Sequence, residues 1–113
     1  KVGAVLVKNN RIISCGYNAF PEHLNGPCEL PDGTTNGRVR HAEKNALMAL
    51  VRGSGSAVGA TLFCTLSCCQ DCADDIIDAG IKEFVYLEEY RDTTGLDLLQ
   101  QAGVKVRQFK EDV

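Results

Sequence analysis

Several things are scarce in this chain, and each scarcity excludes something. No apolar run approaches the ~20 residues that a membrane-spanning helix needs. There is no excess of positive charge: the net charge is −3 and the pI about 5.3. A long nucleic acid is therefore not the expected partner, because phosphate neutralisation dominates such affinities. A single nucleotide needs only a few local cations and stays open. Internal repeats and low-complexity tracts are absent. With 44% hydrophobic and 24% charged residues among 113, the composition is that of a folded globular chain. The length suits one domain spanning residues 1–113. The opening Lys1–Val7 runs straight into Lys8-Asn9-Asn10, which does not read as a signal peptide. Because the chain opens inside a strand-like run, we expect a further N-terminal segment ahead of Lys1.

Histidine is the scarcest of the metal-ligating side chains, with two residues, His23 and His41, against six cysteines. Cys64, Cys68, Cys69 and Cys72 crowd into one short stretch. Adjacent cysteines such as Cys68 and Cys69 make strained bridges. Clustered thiols with a distant histidine fit a metal site in a reducing compartment, such as the cytoplasm, better than a disulfide framework.

Periodicity lays out the rest. Val2–Val7 and Arg11–Cys15 flank the turn residues Asn9 and Asn10 and read as a hairpin. Residues 19–40 hold all three prolines and read as a long irregular loop. A helical stripe runs from Ala42 to Val51, followed by a strand at Ala60–Leu66 and a helix at Asp71–Ala79. Lys82–Leu87 reads as a strand, Thr94–Ala102 as a helix and Val104–Phe109 as a last strand. A hairpin followed by alternating helices and strands predicts an α/β fold. We expect a mixed five-stranded sheet in a three-layer α/β/α arrangement, with helices on both faces.

Two stretches carry chemistry, and each opens a helix. His41-Ala42-Glu43 starts the first; Cys69-Gln70-Asp71-Cys72 starts the second. A right-handed crossover would set the two helix starts side by side, and their partial positive charge favours thiolates. One imidazole and two thiolates make the ligand set of a catalytic zinc with an open fourth position. Glu43 sits too close to His41 to be a comfortable co-ligand. It is placed instead to take a proton from a water whose pKa zinc lowers toward ~7. Alone, His41 reads as an ordinary helix-start residue, Glu43 as compensation of the helix dipole and Asn18 as turn chemistry. The coincidence of His41, Glu43, Cys69 and Cys72 overturns those defaults.

The pair matches the zinc deaminase signature H-x-E…P-C-x-x-C, a known pattern with a known mechanism, except that Cys68 stands where proline is expected. Cys68 is open to three readings: an apolar filler, an alternative ligand or a redox-sensitive thiol. A second metal site from Cys15, Cys28 and His23 also stays open.

On V-G-A-V-L-V at 2–7, G-Y-N at 16–18, H-A-E-K-N-A at 41–46, C-Q-D-C at 69–72, A-G-I-K at 79–82 and L-L-Q-Q-A-G-V at 98–104, the chain resembles the cytidine deaminase superfamily. Within it, the chain most resembles the deoxycytidylate (dCMP) deaminases. The resemblance implies zinc-dependent hydrolysis of dCMP to dUMP and ammonia, a step that feeds thymidylate synthesis. In that scheme Glu43 protonates ring N3 and then the departing amine. The Ala42 N–H meets the base O2, and the Ser67 carbonyl accepts from the amino group. Asn18 contacts sugar or phosphate and Tyr90 closes over the deoxyribose; Arg38 and Arg40 either add charge there or are solvated residues of a polar loop. A homohexamer is implied, as is a dCTP or dTTP regulator with Mg2+ near Gly16 and Asn18. The alternatives are another deaminase (acting on tRNA adenosine, a nucleoside or a free base) and a structural zinc module closed by four protein ligands.

Overall fold

The structure is a computed structural model that describes residues 2–18, 41–53 and 55–110. The loop expected at 19–40, with His23, Cys28, Arg38 and Arg40, lies outside the described residues. The elements run β1 (Gly3–Lys8), β2 (Arg11–Tyr17), α1 (Ala42–Arg52), β3 (Thr61–Leu66), α2 (Gln70–Asp78), β4 (Glu83–Glu88), α3 (Thr94–Gln101) and β5 (Lys105–Gln108). Every expected element is present, displaced by a residue or two at its ends. The last strand is shorter than expected because the Val104 N–H is spent on the Leu99 carbonyl, closing α3 before β5 begins.

The β1–β2 hairpin turns through Asn9 and Asn10, with φ of +53° and +62°. A tight hairpin needs left-handed backbone at both central positions, and asparagine tolerates it better than most side chains. The five strands are ordered β2-β1-β3-β4-β5. β1 is antiparallel to both neighbours, while β3, β4 and β5 run parallel.

This order decides where the helices lie. β2 and β3 both oppose β1, so they are parallel to each other. Each of α1, α2 and α3 therefore links parallel strands, and each step moves across the sheet in one direction. Right-handed crossovers in one direction put all three helices on one face. The core agrees. Ala4, Leu6, Leu62, Cys64 and Phe84 point to that face. They pack with Ala42, Ala46 and Leu47 of α1, Cys72, Ala73 and Ile76 of α2, and Leu96 and Leu99 of α3. Among the described residues the other face, with Val5, Phe63, Val85 and Leu87, carries no helix.

Candidate active site

Both metal-ligating stretches begin at a helix N-cap. His41 precedes α1 with extended backbone (φ −65°, ψ 155°), and Cys69 precedes α2 in the same way (φ −80°, ψ 174°). Cys72 follows one turn into α2. The topology brings both helix starts to the same end of the sheet. His41 Nδ1 lies 3.2 Å from Cys72 Sγ and 3.4 Å from Cys69 Sγ. The three ligand atoms all lie within 4.8 Å of one another.

These distances answer whether zinc fits. Bonds of ~2.0 Å to nitrogen and ~2.3 Å to sulfur in a tetrahedral shell place neighbouring ligand atoms roughly 3.5 Å apart. The donor set is right in chemistry and in spacing. Cys68, the alternative ligand, is outside this group; it is 1% exposed and packs in the core. Burial pushes its thiol up to about 12. Among the described residues all five cysteines are free thiols.

Protons are unevenly shared in this cluster. The Cys72 thiol and the His41 ring donate to Cys69 Sγ, pulling its pKa down to about 3. His41 is raised by the same hydrogen bond to Cys69, against the opposing effect of burial. Cys72 is pushed up because its proton serves Cys69 and because it is buried. A metal cation takes the place of those protons at the sulfurs and releases them when it binds.

Glu43 is 4% exposed. Burial raises its carboxyl, partly offset by its own backbone N–H. A carboxyl lifted toward neutrality can both take and return a proton. It lines a cavity of about 210 Å³ with His41, Cys69, Asn18, Ser67, Tyr90, Val2 and Leu66. Three of the four expected substrate contacts therefore share a cavity with the expected catalytic carboxylate.

Ser67 is held between strands. Its N–H donates to the Glu88 carbonyl at 2.8 Å, and its Oγ accepts from the Tyr90 N–H at 2.5 Å. These bonds set Tyr90 at the cavity rim. The fourth contact, the Ala42 N–H, donates to Asn18 Oδ1 at 2.8 Å. No lysine or arginine is among the described residues lining the cavity.

Sequence reasoning passed over Val2 and Leu66 as apolar walls of the cavity, and it named Gly16 for a regulator and not as the contact that seats α1. A Cβ on Gly16 would meet Ala46 N at 2.5 Å and Ala42 O at 2.6 Å, so the β2 backbone lies directly on the backbone of α1. A glycine inside a strand is the signal that pointed there.

Known proteins are similar to this chain in sequence and in fold. The family of the cytidine and deoxycytidylate deaminase zinc-binding region matches residues 1–88. A deoxycytidylate deaminase of Saccharomyces cerevisiae is 40% identical over 121 aligned residues, covering 96% of this chain but 38% of the yeast protein. The chain thus spans less than two fifths of that relative. A deoxycytidylate deaminase of Enterobacteria phage T2 is 36% identical, over 94% of this chain and 79% of the phage protein. Among solved structures, the dCMP deaminase of cyanophage S-TIM5, in complex with dCMP and dUMP, superposes with a TM-score of 0.92 at 48% identity. That match covers 96% of this chain and 81% of that one. It places the fold in the three-layer α/β/α class. Of those layers, the described residues hold the sheet and one set of helices.

Proposed function

The chain belongs to the cytidine and deoxycytidylate deaminase zinc-binding family, and from that premise we propose that it hydrolyses dCMP to dUMP with release of ammonia. One observation carries the reading: the buried Glu43 carboxyl shares a cavity with His41 and Cys69. The names of the yeast and phage relatives support dCMP as the substrate.

His41, Cys69 and Cys72 would hold the zinc ion, which would supply the Lewis acidity that lowers the pKa of water toward ~7. Glu43 takes a proton from the attacking water and delivers it to ring N3. It then carries the second proton to the departing amine, so that one water enters and one ammonia leaves. The cavity of about 210 Å³ lies below the ~300 Å³ where small-molecule sites usually begin, so it suits the base rather than the whole nucleotide. In this proposal Ser67 receives the amino group through its carbonyl, Asn18 and Ala42 meet polar edges of the ligand, and Tyr90 covers the deoxyribose. The 5′-phosphate extends beyond this cavity.

The proposal extends to a homohexamer and to dCTP or dTTP regulation with Mg2+ near Gly16 and Asn18. Sedimentation with and without each triphosphate and Mg2+ tests both; an unchanged monomer would remove them.

Ammonia release from dCMP, deoxycytidine and a tRNA stem-loop, with zinc content measured alongside, tests the activity. dCMP should react well ahead of the others. Equal rates on deoxycytidine would defeat the nucleotide assignment. Release from tRNA alone would move the chain to another branch of deaminases.

A further inference from the structure

The strand register shows along which line α1 meets the sheet. Gly16 of β2 faces Ala4 of β1, Ala4 faces Cys64 of β3, and Cys64 faces Tyr86 of β4. These residues form one row across the sheet, on the side that the helices cover. At Gly16 a Cβ would come within 2.5 Å of Ala46 N, so the first turns of α1 lie directly over this row. The row is low where the helix passes: no side chain at Gly16, a methyl at Ala4, a thiol at Cys64.

Glu43 stands in the first turn of α1 and is buried. Cys64 is buried as well, and its thiol is a hydrogen-bond partner of the Glu43 carboxyl. A thiol donates weakly and a carboxylate only accepts, so the S–H runs from the sheet to the carboxylate. Burial, with the charge of Glu43, pushes the Cys64 thiol up to about 12, so it keeps its proton at neutral pH. The Glu43 backbone N–H and the Cys72 thiol also bond to this carboxyl. Cys72, however, belongs to the metal-ligating group, and sulfur binds a metal as the thiolate, with no proton left to donate. Cys64 lies outside that group and stays a donor.

We infer that Cys64 is a positioning residue for Glu43: from the sheet beneath the start of α1, its thiol donates to the carboxyl and sets the direction in which that group faces the cavity. The contact stands on the register, the close approach of α1 and the burial of both groups. Its effect on turnover rests on the proposed deaminase reading, where the orientation of a reacting group governs rate.

The rival role for a core thiol is that of a small apolar filler, and three substitutions separate the two. Cys64→Ala removes donor and bulk, Cys64→Val removes the donor but fills the space, and Cys64→Ser keeps a donor in a smaller side chain. Zinc per protein, Tm, and kcat and KM on dCMP are measured for each. The alanine and valine variants should lose about 3–10-fold in kcat, the worth of one modest hydrogen bond, with KM and zinc content unchanged. The serine variant should regain most of that loss, even where its Tm is below that of the valine variant. Infrared spectroscopy of the protein without metal reads the contact without turnover. The Cys64 S–H stretching band, isolated by subtracting the Cys64→Ala spectrum, should move to higher frequency when Glu43→Leu removes the acceptor.

Full kcat in Cys64→Val with a deficit in Cys64→Ser would overturn the inference and leave Cys64 a filler. An S–H band that ignores Glu43→Leu would overturn it as well. If the band moves as predicted while the wild-type protein turns over no dCMP, the contact stands and the deaminase reading falls.

Discussion

The two helix starts that meet at the site are held by different means. α1 is seated by directed hydrogen bonds from β2, through Asn18, Ser14 and the Tyr17 carbonyl. α2 is seated mainly by packing. Cys72, Ala73 and Ile76 are buried. Cys68 is buried beneath the α2 start, and its carbonyl lies against Gly95 of α3, where a Cβ would come within 2.3 Å. The difference matches the tasks. α1 presents the group that moves protons, whose direction hydrogen bonds fix well. α2 presents two sulfurs, whose position a close-packed floor fixes well.

The largest break in this comparison removes the grip. Cys69→Ala should lose zinc altogether, measured as metal per protein, and turnover with it. Full zinc retention would transfer the ligand role to the buried Cys68.

Next, Glu43→Gln spares the grip and removes the proton carrier. Zinc content should be unchanged while kcat falls by about 10²–10⁴, the contribution expected of a general acid–base group. Preserved turnover would take Glu43 out of the mechanism.

The two close-approach glycines sharpen the contrast. Gly95→Ala drives a methyl into the Cys68 carbonyl, and Gly16→Ala drives one into the α1 backbone. Each should cost about 1–3 kcal/mol, read as a fall of several degrees in Tm. The consequences should differ. Gly95→Ala should weaken zinc retention more than turnover per bound zinc, and Gly16→Ala the reverse. Identical profiles would mean that the two helix starts are one mechanical unit.

The smallest effect is at Cys68. Cys68→Ala should cost about 1 kcal/mol of stability and leave zinc content unaltered, in keeping with a thiol that fills space.

Much of this was legible in the chain because the signals are local. The apolar run Val2–Val7 beside the turn residues Asn9 and Asn10 marks a hairpin, and the run Ala60–Leu66 marks a strand. The i, i+3 spacing of Cys69 and Cys72 and the H-x-E of residues 41–43 mark a site wherever they open helices. What stayed hidden is long-range. The Asn18–Ala42 bond joins residues 24 apart in sequence, and side-chain periodicity says nothing of which N–H lacks a partner. Which face each helix takes depends on strand order, and strand order is set by pairing rather than by any segment alone. Gly16 carried a readable hint, but its neighbour in space is a helix backbone that no pattern around residue 16 identifies.

The central claim is that one imidazole and two thiolates grip a zinc ion and leave it a position open to water. X-ray absorption at the zinc edge of the loaded protein reads the ligands directly. The account predicts one nitrogen, two sulfurs and one light, exchangeable oxygen. A shell of one nitrogen and three sulfurs, closed by four protein ligands, would contradict it and make the metal a structural one.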